Sequence, residues 1–207
     1  MTKTPPILAP SSAFLPPDYA NVTRICGIDE AGRGPLVGPV CAAAVVLPED
    51  CVIPGLNDSK KLSENKREAL YDVIVSAATD WSVAFASARE IDEINVLQAT
   101  FLAMCRAVTG LKSVPEFCLV DGNRDPVLGI PTQCIIKGDG KCLSIAAASV
   151  LAKVSRDRQL RALDAQHPGY GFARHKGYGT AAHYAAIAQL GLIDEHRRSF
   201  LKKLDLR

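Results

Sequence analysis

At 207 residues, 48% hydrophobic and 22% charged, the chain has the make-up of an ordinary globular protein with one core of roughly 150 residues and an appendage. A formal net charge of +2 neither requires nor excludes a polyanionic partner, and no apolar run approaches the roughly 18 residues of a membrane span. Seven cysteines with no C-x-x-C pair argue against a disulfide framework and for a reducing, cytoplasmic setting.

The first twenty residues hold five prolines and one lysine, without an apolar signal-peptide core, and residues 1–21 read as a disordered or draped tail. Arg24–Asp29 is expected to form a strand, Val40–Leu47 a second buried strand and Ser82–Ala88 a third. Between the last two, Asn57-Asp58-Ser59-Lys60-Lys61-Leu62-Ser63 leads into a helix over Glu64–Ala77, which Ser63 caps. A helix over Glu90–Leu111 places Ile91, Ile94, Leu97, Phe101, Met104 and Val108 at helical spacing as core residues. Phe117–Val120 is an apolar strand ending in Asp121-Gly122, and Thr132–Lys137 is a further strand closed by Gly138-Asp139-Gly140.

Lys141–Asp164 reads as a long helix whose small residues at the start permit close approach to another backbone. A Gly- and aromatic-rich stretch follows His167, then a short helix to Gln189 and the sequence His196-Arg197-Arg198-Ser199-Phe200. Residues 170–207 carry seven Lys/Arg against three Asp/Glu, a mildly basic segment on a slightly acidic body. The division is therefore a tail at 1–21, a main α/β core at 22–165 and a small helical C-terminal segment at 166–207.

The short link after Asp29 implies an antiparallel pair of strands, and the long helix before Phe117 permits a crossover that lays Phe117–Val120 parallel to the first strand. Asp29 and Asp121 would then meet at the sheet edge where open α/β sheets take their ligands. Three acids share one setting, an apolar strand end with glycine nearby: Asp29 (followed by Glu30), Asp121 and Asp139. Converging acids raise one another's pKa unless a cation joins them. With no His or Cys cluster beside them, the implied ion is hard and oxygen-loving, Mg²⁺ or Mn²⁺. A carboxylate cage of that kind suits phosphodiester cleavage. Each acid alone also fits a turn former or helix cap.

Gly32-x-Gly34-x-x-x-Gly38 invites a dinucleotide-binding reading, but Pro35 and Pro39 interrupt the helix start that pyrophosphate binding needs. A receiver-like Mg²⁺ pocket is a second alternative, and the C-terminal third and the Gly-rich loop sit badly with it.

The motifs GIDEAGRGPLVGPV, NDSKKLS, VDGN, IKGDGKCLSIAAASVLAKVSRDR, HPGYGFARHKGYGT and HRRSF, in this order and spacing, resemble bacterial ribonuclease HII, the type 2 ribonuclease H. The resemblance covers residues 24–200 or so. It implies an α/β ribonuclease H-like fold, a central mixed five-stranded sheet flanked by helices. It also implies a metal-dependent endonuclease that cuts the RNA strand of RNA/DNA hybrids and nicks 5′ to single ribonucleotides in duplex DNA, serving ribonucleotide removal and RNA primer clearance. The family's four acids fall on Asp29, Glu30, Asp121 and Asp139. Gly32-Arg33-Gly34 matches the segment that reads 2′-hydroxyls, and Tyr178 matches the tyrosine that packs on the sugar at the RNA-to-DNA junction. Lys60, Lys61, Lys153 and Arg156 become candidate phosphate or metal-site neighbours. Glycines suit such a role, since backbone can approach the 2′-OH in the wide minor groove.

His167, His175 and His183 recur at eight-residue intervals, which is not a zinc spacing, and are expected to be hydrogen-bonded surface residues. The basic residues of 196–203 are expected on a solvated face, where they can contact DNA phosphates. A non-catalytic hybrid-binding module is the competing reading of the same surface. SFLKKLDLR shows no clamp-binding peptide, no obligatory protein partner is evident, and a monomer is expected.

Overall fold

The computed structural model describes residues 8–201; the final residues of SFLKKLDLR lie outside the described part. Five strands form one mixed sheet in the order β3-β2-β1-β4-β5: β1 Ile25–Ala31, β2 Val40–Val46, β3 Asp80–Ala86, β4 Phe117–Asp121 and β5 Thr132–Ile135. β1 runs antiparallel to β2, with Asp29 opposite Ala43, and β2 antiparallel to β3. β4 lies parallel to β1, with Ile28 beside Val120, and β5 parallel to β4. The crossover anticipated from the long helix is therefore present. Asp29 and Asp121 each sit one residue beyond the Ile28–Val120 pair, at the C-terminal end of two neighbouring parallel strands.

Helices cover both faces: α1 Glu64–Ala77 and α3 Leu143–Gln166 on one side, α2 Ala88–Thr109 on the other. The small-residue start of α3 is fully buried and lies against β1. Gly27 makes that approach possible, because a Cβ there would stand 2.3 Å from the carbonyl carbon of Ser144. The strand-end acids of β1 are thus held within reach of α3.

Several boundaries differ from expectation for local reasons. β3 ends at Ala86 because Ser87 begins α2 through a capping box with Glu90. β5 stops at Ile135 because Lys137 turns left-handed at φ 57°. α3 starts at Leu143, not Lys141, because a 3₁₀ turn at Gly138–Gly140 takes the N–H groups of Lys141 and Cys142 onto the Gly138 carbonyl. α2 contains a break at Asn95 (φ 68°, ψ 162°), whose Oδ1 accepts the N–H groups of Leu97 and Gln98 and so caps a second helical segment. That break resets the helical phase. Ile91, Met104 and Val108 are buried as expected, but Ile94 is exposed and Leu97 and Phe101 are only half-buried.

The described part of the N-terminal tail lies along the core. Ala9 donates to the Lys141 carbonyl and accepts from Leu143, and Tyr19 packs edge-on against Phe117. At the other end, α4 Phe172–His175 and α5 Ala181–Leu190 gather Leu36, Val37, Leu160, Tyr170 and Phe172 into a separate small core. No helix of the described residues is long and apolar enough to cross a membrane.

Candidate active site

β1 delivers Asp29 and Glu30, β4 delivers Asp121, and the turn before α3 delivers Asp139. Carboxylate oxygens of Asp29, Asp121 and Asp139 lie within 4.8 Å of one another, with Asp29 and Asp139 buried. Asp29 Oδ1 accepts the Glu30 N–H at 2.7 Å, and Asp121 Oδ1 accepts the Gly138 N–H at 2.7 Å, which ties the turn carrying Asp139 to β4. Glu30 stands beside the trio and meets Arg33 at 3.4 Å.

The electrostatics follow from burial and crowding. Burial, then the charges of Glu30 and Asp121, push the Asp29 carboxyl well above the ordinary aspartate range, against the pull of the Ser149 hydroxyl. Burial also raises Glu30, which Arg33 partly offsets. Burial, Asp121 and Asp58 raise Asp139. One ammonium answers this charge: Lys60 Nζ lies 3.8 Å from Asp139 Oδ2 on a largely exposed side chain. Burial alone would lower Lys60, but Asp29, Asp139, Asp58 and Asp121 together outweigh it and hold the ammonium above its usual range. One exposed lysine, with Arg33 on Glu30, does not neutralise four acids. The donor set is all carboxylate oxygen, preformed and under-compensated, which fits a hard divalent cation.

Asp58 and Ser149 belong to this neighbourhood and were not singled out from sequence. Asp58 accepts the Lys60 N–H at 2.9 Å and pairs with Lys61 at 3.7 Å. The Ser149 hydroxyl donates to Ser59 at 2.8 Å, linking α3 to the lysine turn. A small polar residue inside an Ala-rich helix was the available signal for Ser149.

The Gly-rich loop joins β1 to β2 and opens beside the acids. A cleft of about 270 Å³ between them is lined by Glu30, Arg33, Asp121, Asn123 and Arg124, with Phe101 on its apolar wall. Gly32 has φ +96°, and a Cβ there would fall 1.9 Å from Arg156 Nε. Gly34 faces Tyr178, whose ring carbon Cε1 would meet a Gly34 Cβ at 3.5 Å, and the Tyr178 ring is about half exposed (49%). Gly34 and Tyr178 therefore share one surface patch.

The four lysine and arginine candidates separate. Lys60 faces the acids, and Lys61 is exposed beside Gly140. Lys153 is instead engaged by Asp157 at 2.6 Å and half-buried, and burial lowers its ammonium. Arg156 is corrected outright: it is buried and donates to the carbonyls of Pro39, Lys176 and Val37, so no phosphate can reach it. Arg197 is likewise fully buried, not on a solvated face, while Arg198 is exposed. His183 is buried rather than superficial, and shares a 3.2 Å Nε2–Nε2 hydrogen bond with buried His196.

A mixed five-stranded sheet with acids at the ends of two adjacent parallel strands defines a ribonuclease H-like α/β protein with a carboxylate cluster suited to metal. Sequence and structure comparisons narrow that class. The family model described as Ribonuclease HII matches residues 26–203. Ribonuclease HII of Dechloromonas aromatica is 58% identical over 186 residues, covering 90% of this chain and 95% of the relative. The crystal structure of the ribonuclease H2 from Pyrococcus horikoshii is similar with a TM-score of 0.72 at 27% identity, covering 85% of this chain and 93% of that one. The ribonuclease HII in the Archaeoglobus fulgidus complex with PCNA is similar with a TM-score of 0.67 at 26% identity, covering 89% of this chain and 96% of that one. The chain belongs to the ribonuclease HII family. It is a ribonuclease H, an endonuclease acting on the RNA of RNA/DNA hybrids.

Proposed function

We propose that Asp29, Glu30, Asp121 and Asp139 hold the divalent cation that this activity uses, Mn²⁺ or Mg²⁺, and that the adjoining loop selects the phosphodiester beside a ribose. The observation carrying this reading is the convergence of three carboxylates within 4.8 Å, two from neighbouring strand ends and one from the turn before α3, with one exposed lysine beside them. When bound, such an ion neutralises charge developing on the scissile phosphate and lowers the pKa of attacking water. The chain's own part is to fix geometry. The Gly138 N–H aims Asp121, the Glu30 N–H aims Asp29, and Lys60 adds positive charge at the rim.

Substrate selection falls to Gly32-Arg33-Gly34 and Tyr178. A half-exposed tyrosine ring against Gly34 offers a flat face for a sugar, and the exposed loop backbone beside it can meet a 2′-hydroxyl. Lys61 and Arg198 are exposed cations suited to positioning the duplex through its phosphates. The cut falls 5′ to the ribonucleotide and leaves 3′-hydroxyl and 5′-phosphate ends, both on long hybrids and on single ribonucleotides in duplex DNA. The protein acts as a monomer without an obligatory protein partner. Seven free thiols suit the reducing cytoplasm.

A labelled RNA/DNA hybrid incubated with protein and Mn²⁺ or Mg²⁺ tests the assignment. Cleavage is expected to require the ion and to fall at least a thousandfold in Asp121→Asn. Metal-independent cleavage, or full activity in that variant, would remove the acids from the chemistry. Salt-sensitive binding without turnover would favour a hybrid-binding module instead.

A further inference from the structure

Two buried guanidinium groups lie under the Gly-rich loop, and neither meets a carboxylate. Arg197 donates Nε–H to the Gly38 carbonyl at 2.9 Å, Nη1–H to Arg33 at 2.9 Å and Nη2–H to Gly32 at 2.6 Å. Arg156 takes the carbonyls of Val37 and Pro39 from the same loop, together with that of Lys176. Backbone bonds hold Arg197 itself in place: its N–H reaches the Leu36 carbonyl at 2.8 Å, Gly38 donates to Glu195 at 2.9 Å, and Val37 bridges His196. Burying a charge with no counter-ion is costly, and burial together with the charge of Arg156 pulls Arg197 down to about 9. At neutral pH it is still charged, and the loop carbonyls are what hold it.

The consequence lies on the opposite side of the loop. In a trans peptide the C=O and N–H point in opposite directions. With the Gly32 and Arg33 carbonyls drawn onto Arg197, the N–H groups of Arg33 and Gly34 are turned away from the interior. Both residues are exposed, and neither N–H has a hydrogen-bond partner among the described residues. They are consecutive donors on the surface that also carries the Tyr178 ring.

We propose that Arg197 is a positioning residue for ribose selection: its guanidinium sets the two peptides so that the Arg33 and Gly34 amides form a fixed donor pair for an oxygen-bearing sugar edge. Gly32-Arg33-Gly34 supplies the contact, and a residue more than 160 positions away in sequence, in the C-terminal segment, sets its direction. The inference rests on the reading of that loop as the ribose-recognition element. Lysine cannot replace the guanidinium, because one compact ammonium does not span three separate carbonyls in a fixed fork.

The test compares wild type with Arg197→Lys for affinity toward two duplexes of one sequence, one all DNA and one with a single ribonucleotide, with Ca²⁺ present to suppress turnover. Arg197→Lys should lose at least tenfold of the preference for the ribonucleotide duplex. Its affinity for all-DNA duplex should stay within twofold, and its Mn²⁺ affinity without nucleic acid should match wild type. An unchanged preference overturns the proposal, as does an equal loss on both duplexes, which would mark a purely structural role. Wild type showing no preference at all would sink the loop reading itself, a distinguishable result. If Arg197→Lys does not fold, amide hydrogen exchange on wild type decides. The Arg33 and Gly34 amides should exchange rapidly in the free protein and become at least tenfold slower with the ribonucleotide duplex but not with DNA. Protection of either amide in the free protein overturns the proposal.

Discussion

Replacing Asp29 by Asn should make the metal-free protein more stable while removing its activity. Three carboxylates within 4.8 Å repel one another by about 3.5 kcal/mol per ionised pair at an effective dielectric of about 20. Burial and the charges of Glu30 and Asp121 raise the Asp29 carboxyl well above the ordinary range, so folding disfavours its charged form. Solvent and Lys60 screen part of the repulsion, leaving a gain of about 2 kcal/mol for the neutral amide. Asn preserves the oxygen that accepts the Glu30 N–H, so that hydrogen bond is kept. For a protein of this size the gain corresponds to ~4–8 °C in Tm. Thermal unfolding in EDTA and again with Mn²⁺ gives both halves of the prediction. Wild type should rise on adding the ion, because a ligand that binds only the native state stabilises it. Asp29→Asn should start higher and rise little. A variant that melts below wild type in EDTA yet keeps the full Mn²⁺-induced rise would refute both the crowding and the ligand assignment.

Three other outcomes are accessible to simple measurements. Gly32→Ala should destabilise by at least about 2 kcal/mol in chemical denaturation, since its left-handed backbone and the Arg156 side chain at 1.9 Å leave no room for a methyl group. Burial and the neighbouring His183 hold His196 at about 4, against 6.5 in the unfolded chain. The unfolded chain therefore binds a proton first as pH falls, and this contribution, fully present above pH 6.5, drains away toward pH 4, by about 3 kcal/mol at most. The difference in denaturation midpoint between wild type and His196→Asn should accordingly narrow between pH 7 and pH 4.5; a constant difference would contradict the neutral buried pair. Tyr178→Ala should lower cleavage at a single ribonucleotide at least tenfold with Tm within a few degrees of wild type, because the ring is half exposed.

The acids were legible in the sequence because they end apolar runs. One Asp after Ile28 or Val120 also fits a turn, but the crossover that the long helix permits lays the two strands side by side and brings both acids to one edge. Asn95 was not legible, since one Asn in an amphipathic run is compatible with an unbroken helix, and only the capped turn shows that the phase is reset. The fate of the basic residues was hidden for a different reason. Arg197 and Arg198 are adjacent and chemically identical, yet one is fully buried under the loop and the other is exposed. What separates them is the bridge between Val37 and His196, a long-range pairing that no local pattern encodes. The same holds for His183 and His196, which meet because α5 folds back on the segment that carries Arg197. The glycines were read as making room for substrate. Gly32 in fact makes room for Arg156, and Gly34, the one facing Tyr178, keeps the outward role.

The most direct test of metal-dependent cleavage beside a ribose uses a labelled DNA duplex with one ribonucleotide and maps the product ends with EDTA, Mg²⁺ or Mn²⁺ present. A single nick 5′ to the ribonucleotide, with 3′-hydroxyl and 5′-phosphate ends, present with either ion, absent in EDTA and lost in Asp121→Asn, is the predicted result. Cutting that persists in EDTA, or that falls equally on an all-DNA duplex, would contradict it.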